Sequence, residues 1–421
     1  MAEISTVDAW EVLDSRGQPT VRVRVTAGER TGTFTVPSGA STGRFEVLDR
    51  RDGGTRYDGL GVQKAVQAIK DELGPAVSGL EVTEQAQIDA RLLDMDGTKQ
   101  LERLGGNAIV GVSGAVIHAA SAVTEQPLFR YLNGLGEGDV EATLPVPMIN
   151  MLSGGLHARG SLPIQDFLVI PIGAASLEEA IRWSWDVRQA IAEWLLEHDH
   201  RPLVADEGGY APPLETAEEG FELLKTAVDR AGYRVGEELA FGVDVAAGHF
   251  FDPSSETYQL GESLDREEMI ERVLAWAHQY PLISIEDPLE ESDWSGWEHL
   301  RERLPDNCQL LGDDLLVTDP GRLDRATEQR AISAALVKPN QAGTMSAAIE
   351  VIRHSQQAGI NPVVSARSGE TCDVTIAELA IGLGAGQIKI GSLARSERLA
   401  KYNRLLERDR DFSLPFAKPF A

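Results

Sequence analysis

FGVD (241–244), ISIED (283–287), QLLGDD (309–314), AALVK (334–338), VVSAR (363–367) and QIKIG (387–391) each set a charged residue at or beside the end of a short apolar run. From Asp244 through Glu286, Asp313, Lys338 and Arg367 to Lys389 the intervals are 42, 27, 25, 29 and 22 residues. Each interval suits one strand, one helix and two loops. That is the repeat of a parallel βα barrel, in which the strand ends open onto one face. On this reading three carboxylates, two lysines and an arginine meet in one pocket. Such a pocket suits a divalent metal, an anionic substrate and a base. The alternative is an open doubly wound sheet, which binds a ligand only at its switch point. Chemistry at nearly every strand end favours closure.

Outward from these runs, strand–helix alternation extends from about 165 to 391. Ser176 with Glu179, Thr216 with Glu219, and Asp265 with Glu268 are spaced as capping boxes that open helices. After Ser176, Leu177, Ile181 and Trp185 form one apolar stripe. The helix after Asp265 should end at Pro281, with the strand LISIED following at once. Towards the N-terminus, TVRVRVT (20–26) alternates strictly, with Val21, Val23 and Val25 inward and Arg22 and Arg24 outward. It lies between the strand-like ISTVDAWEVLD and GTFTVPSG, so a three-strand meander is expected. Helical stretches follow at about 61–73, 83–94 and 107–124. The glycine-rich, acidic NGLGEGDVEAT (133–143) marks the boundary. The expected class is α/β: an N-terminal α+β domain over 1–135 and a (β/α)8-type barrel over 136–421.

Bulk composition narrows the function. The 421 residues are 42% hydrophobic and 25% charged, as in an ordinary soluble globular protein. The net charge of −27 argues against nucleic-acid or anionic-membrane partners, which need a basic surface. Cys308 and Cys372 are the only cysteines and form neither a zinc pattern nor a disulfide framework, which fits a reducing cytoplasm. MAEISTVDAWEVLD has no signal-peptide pattern. NAIVGVSGAVIHAASAV (107–123) is interrupted by His118, serines and glycines, and reads as a buried helix rather than a membrane span.

Asp244, Glu286 and Asp313 are hard oxygen ligands of the kind magnesium takes. One such acid alone commonly caps the next helix; three at successive strand ends, with lysines at others, point to a metal. Lys338 becomes a base only if its pKa falls, and magnesium with Lys389 would lower it. PSGASTG (37–43) offers the Ser41 hydroxyl on a loop of small residues. SGGLHARG (153–160) carries His157, and VADEGGYAP (204–212) puts Asp206 and Glu207 at an expected strand end.

The chain resembles the enolase family. The segments that carry the likeness are DSRGQPT (14–20), PSGASTG (37–43), LPVPMIN (144–150), DEGGYAP (206–212), SIEDPLEESDW (284–294), GDDLLVT (312–318), SGET (368–371) and ARSERLAKYN (394–403). They run through nearly the whole chain. The resemblance implies a magnesium-dependent phosphopyruvate hydratase of glycolysis, cytoplasmic and a homodimer or higher homo-oligomer. One magnesium would sit on Asp244, Glu286 and Asp313, and a second, substrate-dependent one would be reached through Ser41. Lys338 matches the base at C2, and Glu207 the acid that helps the 3-hydroxyl leave. Lys389 matches the residue at the substrate carboxylate, and Arg367 with Ser368 the phosphate contacts. Asp166 and His157 complete the expected catalytic and binding set.

Four departures fall at or near this site. The family pattern has His at Ala366, Glu at Asp166, Ser-Glu-Phe at Gly248, His249 and Phe250, and often His at Phe45. Ala366 removes an imidazole beside the phosphate pocket, and Asp166 retracts a carboxylate by one methylene. Three readings follow: 2-phosphoglycerate dehydration; the same elimination on a bulkier phosphorylated or phosphonylated hydroxy acid, for example 2-phosphonoformylglycerate in phosphonate antibiotic biosynthesis; or a non-catalytic binding use of the fold.

Overall fold

The computed structural model describes residues 2–40, 43–135, 140–159 and 161–420. The valine alternation behaves as expected. Val21, Val23 and Val25 are buried while Arg22 and Arg24 are exposed. They belong to an antiparallel meander of β1 (Ile4–Leu13), β2 (Pro19–Ala27) and β3 (Arg30–Thr35). Its apolar face packs on the helix Gly106–Val123 so closely that a Cβ at Gly32 would collide with the backbone of Ala119. That helix is the one among the described residues long and apolar enough to cross a membrane, and it is mostly buried in the core.

The remaining strands are β4 (Val146–Ser153), β5 (Asp166–Ile170), β6 (Ala240–Asp244), β7 (Phe251–Asp252), β8 (Thr257–Gln259), β9 (Ser263–Leu264), β10 (Leu282–Glu286), β11 (Gln309–Gly312), β12 (Ala334–Val337), β13 (Asn361–Ser365) and β14 (Gln387–Gly391). Eight of them close a barrel in the order β4-β5-β6-β10-β11-β12-β13-β14, and β7–β9 form a small separate sheet. The barrel departs from the all-parallel repeat at one place. β5 runs antiparallel to both β4 and β6. The described residues between β4 and β5 contain no helix, and a parallel return needs a crossover connection. β5 therefore starts at the open face, which sets Asp166 opposite Asp244.

Below that face the interior is apolar, with Met148, Leu168, Ile170, Leu311, Leu336 and Val363 in one cluster. Gln309 Nε2 donates to Ser284 Oγ at 3.0 Å and to Gln387 Oε1 at 2.9 Å within it. Apolar layers at one end leave the charged strand termini as the floor of a cup at the other.

Helix starts follow the capping signals. Thr216 and Asp265 make reciprocal boxes with Glu219 and Glu268. Ser176 accepts from Glu179 N, but the Glu179 carboxylate turns to Ala175 N at 2.8 Å instead of closing the box. The stripe on this helix is also shifted: Leu177 is buried, but Trp185 is 52% exposed, and Trp183, Val187 and Ile191 take the inner face.

Candidate active site

Asp244, Glu286 and Lys389 end or nearly end their strands and meet in the barrel mouth. Lys389 Nζ lies 2.8 Å from Asp244 Oδ2 and 2.6 Å from Glu286 Oε2. Lys338, at the start of the short helix Pro339–Ala342, pairs with Asp313 Oδ2. Asp313 Oδ1 accepts Gln341 Nε2 at 2.9 Å, and Gln341 Oε1 accepts Thr318 Oγ1 at 2.8 Å. All the charged groups in this network are buried or nearly so. The expected convergence of three carboxylates and two lysines at one mouth is thus present, as two ion-paired sets.

Burial opposes every charge here, and the neighbours decide each direction. Burial would raise the Asp244 carboxyl, but the Lys389 and Lys338 ammoniums and His157 hold it down at about 2. Glu286 moves the other way: burial and the adjacent Asp244 charge push it well above the usual carboxylate range, against Lys389. Lys338 is governed by Asp313. Burial lowers it, yet the Asp313 carboxylate against it raises it above its ordinary value.

Asp166 is fully buried and fully engaged. Its Oδ1 accepts Asn150 Nδ2 at 2.6 Å and Ser153 Oγ at 2.9 Å, and Oδ2 faces His157 Nδ1 at 2.9 Å. Burial works against a charged His157, but Asp166 and then Glu207 hold it up at about 9. Burial and Glu207 also raise Asp166. The donors Asn150 Nδ2 and Ser153 Oγ favour the carboxylate form of Asp166, and so a proton on His157. Glu207 is in a turn, not at a strand end: Val204 and Tyr210 make only an isolated bridge around it. Burial raises Glu207, but Arg398 at 4.0 Å, His157 and the two lysines override it and hold it ionised.

Arg367 is gripped from the N-terminal domain. Its Nη1 donates to Glu46 Oε2 at 2.9 Å and to Asn340 Oδ1 at 3.2 Å. Ser368 Oγ accepts Ala40 N at 2.5 Å, and Ser38 bridges Gly369 through both backbone groups. The chain passes so tightly that a Cβ at Gly369 would strike Arg16, Asp14 and the Ser38 carbonyl. The DSRG turn braces this contact, with Arg16 Nη2 on Ser38 Oγ at 2.9 Å. Ser41 lies outside the described residues. Of the departures, Ala366 is buried, and Phe45 stacks under Arg322, whose guanidinium carbon is 4.1 Å from the ring centre.

Several site residues had no reading of their own in the sequence: Asn150, Ser153, Gln165, Gln341, Glu46 and Asp287. Gln165 Nε2 reaches Asp244 Oδ2 at 3.2 Å. Asp287 sits in the left-handed region at φ 42° and accepts the amides of Asp313 and Asp314 at 3.0 and 2.7 Å. For Gln341 the available sequence signal is the KPNQ run from Lys338 (338–341).

The donor set fits a hard cation. The carboxylates are all-oxygen ligands, and Glu286 Oε1 is a buried oxygen with no hydrogen-bond partner among the described residues. Among those residues, two groups have ligand atoms within 4.8 Å of one another: His157, Asp166 and Glu207; and Asp287, Asp313 and Asp314. Asp244, Glu286 and Asp313 are not such a group among the described residues; Lys389 pairs with the first two and Lys338 with the third.

A barrel mouth with paired buried lysines, strand-end carboxylates and an arginine held by a second domain defines a barrel enzyme whose N-terminal domain contacts the mouth. Residues 4–132 match the family described as Enolase, N-terminal domain, and residues 141–413 match Enolase, C-terminal TIM barrel domain. The chain belongs to the enolase family, a family of magnesium-dependent enzymes.

Proposed function

We propose that the protein is a magnesium-dependent hydro-lyase that removes the C2 proton and the 3-hydroxyl of 2-phosphoglycerate, giving phosphoenolpyruvate and water. The observation that carries this reading is the pairing of Lys338 with Asp313 and of Lys389 with Asp244 and Glu286 in one buried mouth. Magnesium held by Asp244, Glu286 and Asp313, with a second ion reached through Ser41, would supply the positive charge that a carboxylate needs when its α-proton leaves.

Lys338 takes the proton at C2. It serves as a base only once Asp313 no longer holds its proton, and a ligating role for Asp313 supplies that condition. Lys389 stays charged and receives the substrate carboxylate. Arg367 and Ser368 receive the phosphate, with Glu46 and Asn340 fixing the guanidinium plane. Glu207 must be protonated to help the hydroxyl leave, and an anionic substrate beside it raises its pKa in the required direction. His157 and Asp166 keep one proton close to Glu207. The protein works in the cytoplasm, in keeping with its two unpaired cysteines, and as a homodimer or higher homo-oligomer, for which the exposed Trp185 and Leu203 offer apolar surface. Its partner is a small anionic hydroxy acid and no nucleic acid. Phosphoenolpyruvate formation from 2-phosphoglycerate, followed by absorbance, tests this reading.

A second reading rests on the cleft beside Arg367. It has a volume of about 570 Å³, and Arg16, Arg51, Arg159 and Arg367 line it. This basic cleft, with an alanine rather than an imidazole next to Arg367 in the chain, suits a bulkier substrate such as 2-phosphonoformylglycerate. Under that reading Ala366→His with Asp166→Glu raises kcat/KM for 2-phosphoglycerate about tenfold or more, on the scale of one charged hydrogen bond. Unaltered turnover by the double variant, from a parent already efficient on 2-phosphoglycerate, would leave the first reading alone.

A further inference from the structure

Arg398 lies in the first turn of the helix Ser396–Phe412, and its side chain is fully buried. A side chain with no accessible surface does not touch substrate, so any part it has in the reaction is played through its neighbours. Its planar fork closes on three backbone carbonyls. Nη1 donates to Arg367 O at 2.7 Å and to Ile390 O at 3.0 Å, and Nη2 donates to Ser368 O at 2.6 Å. Arg367 and Ser368 carry the proposed phosphate contacts, and Ile390 follows Lys389 on β14. Nη1 also lies 4.0 Å from Glu207 Oε1, an ion pair too long for a hydrogen bond.

The turn that carries Glu207 is packed against the same groups. Glu207 O accepts Ser392 N at 2.9 Å. A Cβ at Gly391 would lie 2.8 Å from Glu207 O and 3.0 Å from Arg398 Cδ, and one at Gly208 would lie 2.9 Å from Ala394 O. Strand end, turn and guanidinium therefore have little room to slide past one another. A buried cation also needs an anion. Glu397 Oε1 is 3.6 Å from Arg398 Nε but already accepts Arg395 Nε at 2.8 Å. Glu207 is the other carboxylate that pairs with Arg398. The remaining charged groups that act on Glu207 are His157 and Asp166 from the β4–β5 side, Lys389 from β14 and Lys338 after β12.

We propose that Arg398 is a positioning residue that ties Glu207, the acid, to the segment that receives the phosphate. The inference rests on the reaction proposed above. The phosphate at Arg367 and Ser368 and the leaving hydroxyl at Glu207 are kept at one spacing by a side chain that meets neither.

The test has two arms, both on the full chain. In the first, 2-phosphoglycerate conversion and C2 proton exchange are measured with magnesium present. Both need the phosphate bound, so the ratio of hydroxyl loss to C2 exchange isolates the acid step. Arg398→Met should lower this ratio about 10²-fold, the scale of a misplacement of about 1 Å. In a Glu207→Gln background the same change should lower it no further. Arg398→Lys should lower the ratio in the same Glu207-dependent way, because an ammonium cannot reproduce the planar fork, and it replaces the methionine variant should that fold poorly.

The second arm needs no turnover. The Glu207 carboxyl carbon, identified by NMR of isotope-labelled protein through its absence from Glu207→Gln, should titrate at higher pH in Arg398→Met than in wild type, because a cation that holds it ionised is gone. Arg398→Lys, which keeps the charge, should bring the midpoint back towards the wild-type value. No conversion by the wild-type protein would defeat the proposed reaction and leave the titration to decide the role of Arg398. An unmoved midpoint in Arg398→Met, or an equal fall of the ratio with and without Glu207, would overturn the assignment.

Discussion

Lys338 and Glu207 divide the proposed chemistry between them, and two substitutions separate their roles. Lys338→Ala should stop exchange of the substrate C2 proton with solvent, a loss of roughly 10²–10⁴-fold or more. Glu207→Gln should slow loss of the 3-hydroxyl while C2 exchange stays measurable by NMR in deuterium oxide. Wild-type C2 exchange in Lys338→Ala would remove it as the base. His157 supplies a pH test. Its folded-state pKa of about 9 lies above the ordinary 6.5, so its stabilising pairing with Asp166 is complete below about pH 6.5. That contribution is lost as pH rises through 9. The stability gap between wild type and His157→Gln, read from urea unfolding, should shrink by about 3 kcal/mol from pH 6 to pH 10. A gap independent of pH would mean that the pair is not charged. At this scale the sequence was legible for Asp244, Glu286, Asp313, Lys338, Arg367 and Lys389, because charge at the end of an apolar run is conspicuous. Gln165, Gln341 and Asn150 have neutral side chains in ordinary settings, and only their contacts reveal them.

Helix starts were legible element by element, since a capping side chain acts on a backbone amide three residues away. Asp265→Ala should lower stability by about 1 kcal/mol in denaturant unfolding and leave KM unchanged, because the cap lies outside the barrel mouth. A change in KM larger than twofold would show that this helix end communicates with the site. The antiparallel β5 was not legible. β4 is buried on both faces and carries Pro147, so its period gives no direction, and its pairing with β5 depends on a connection whose described residues form no helix. This reversal is what delivers Asp166 to the open face beside Asp244. The shifted stripe after Ser176 has a similar origin: Trp185 shares helical spacing with Leu177 and Ile181, but neighbouring helices cover the face of Trp183 and Val187 instead.

Across the whole molecule, the contacts between the N-terminal domain and the barrel include Glu46 on Arg367, the Ser38–Gly369 bridge, and Asp89 on the amide of Ser346 at 3.0 Å. The first two hold Ser38 and Glu46 against the segment that carries Arg367. Sequence motifs announced that both domains contribute, but not which side chain grips which. The central claim concerns what the assembled mouth does, and one measurement addresses it most directly. Steady-state conversion of 2-phosphoglycerate should be followed with magnesium, with excess chelator, and in Asp313→Ala. The account predicts turnover that requires magnesium, falls to background in chelator and is abolished in a folded Asp313→Ala protein. Full activity in excess chelator, or wild-type activity in Asp313→Ala, would contradict it.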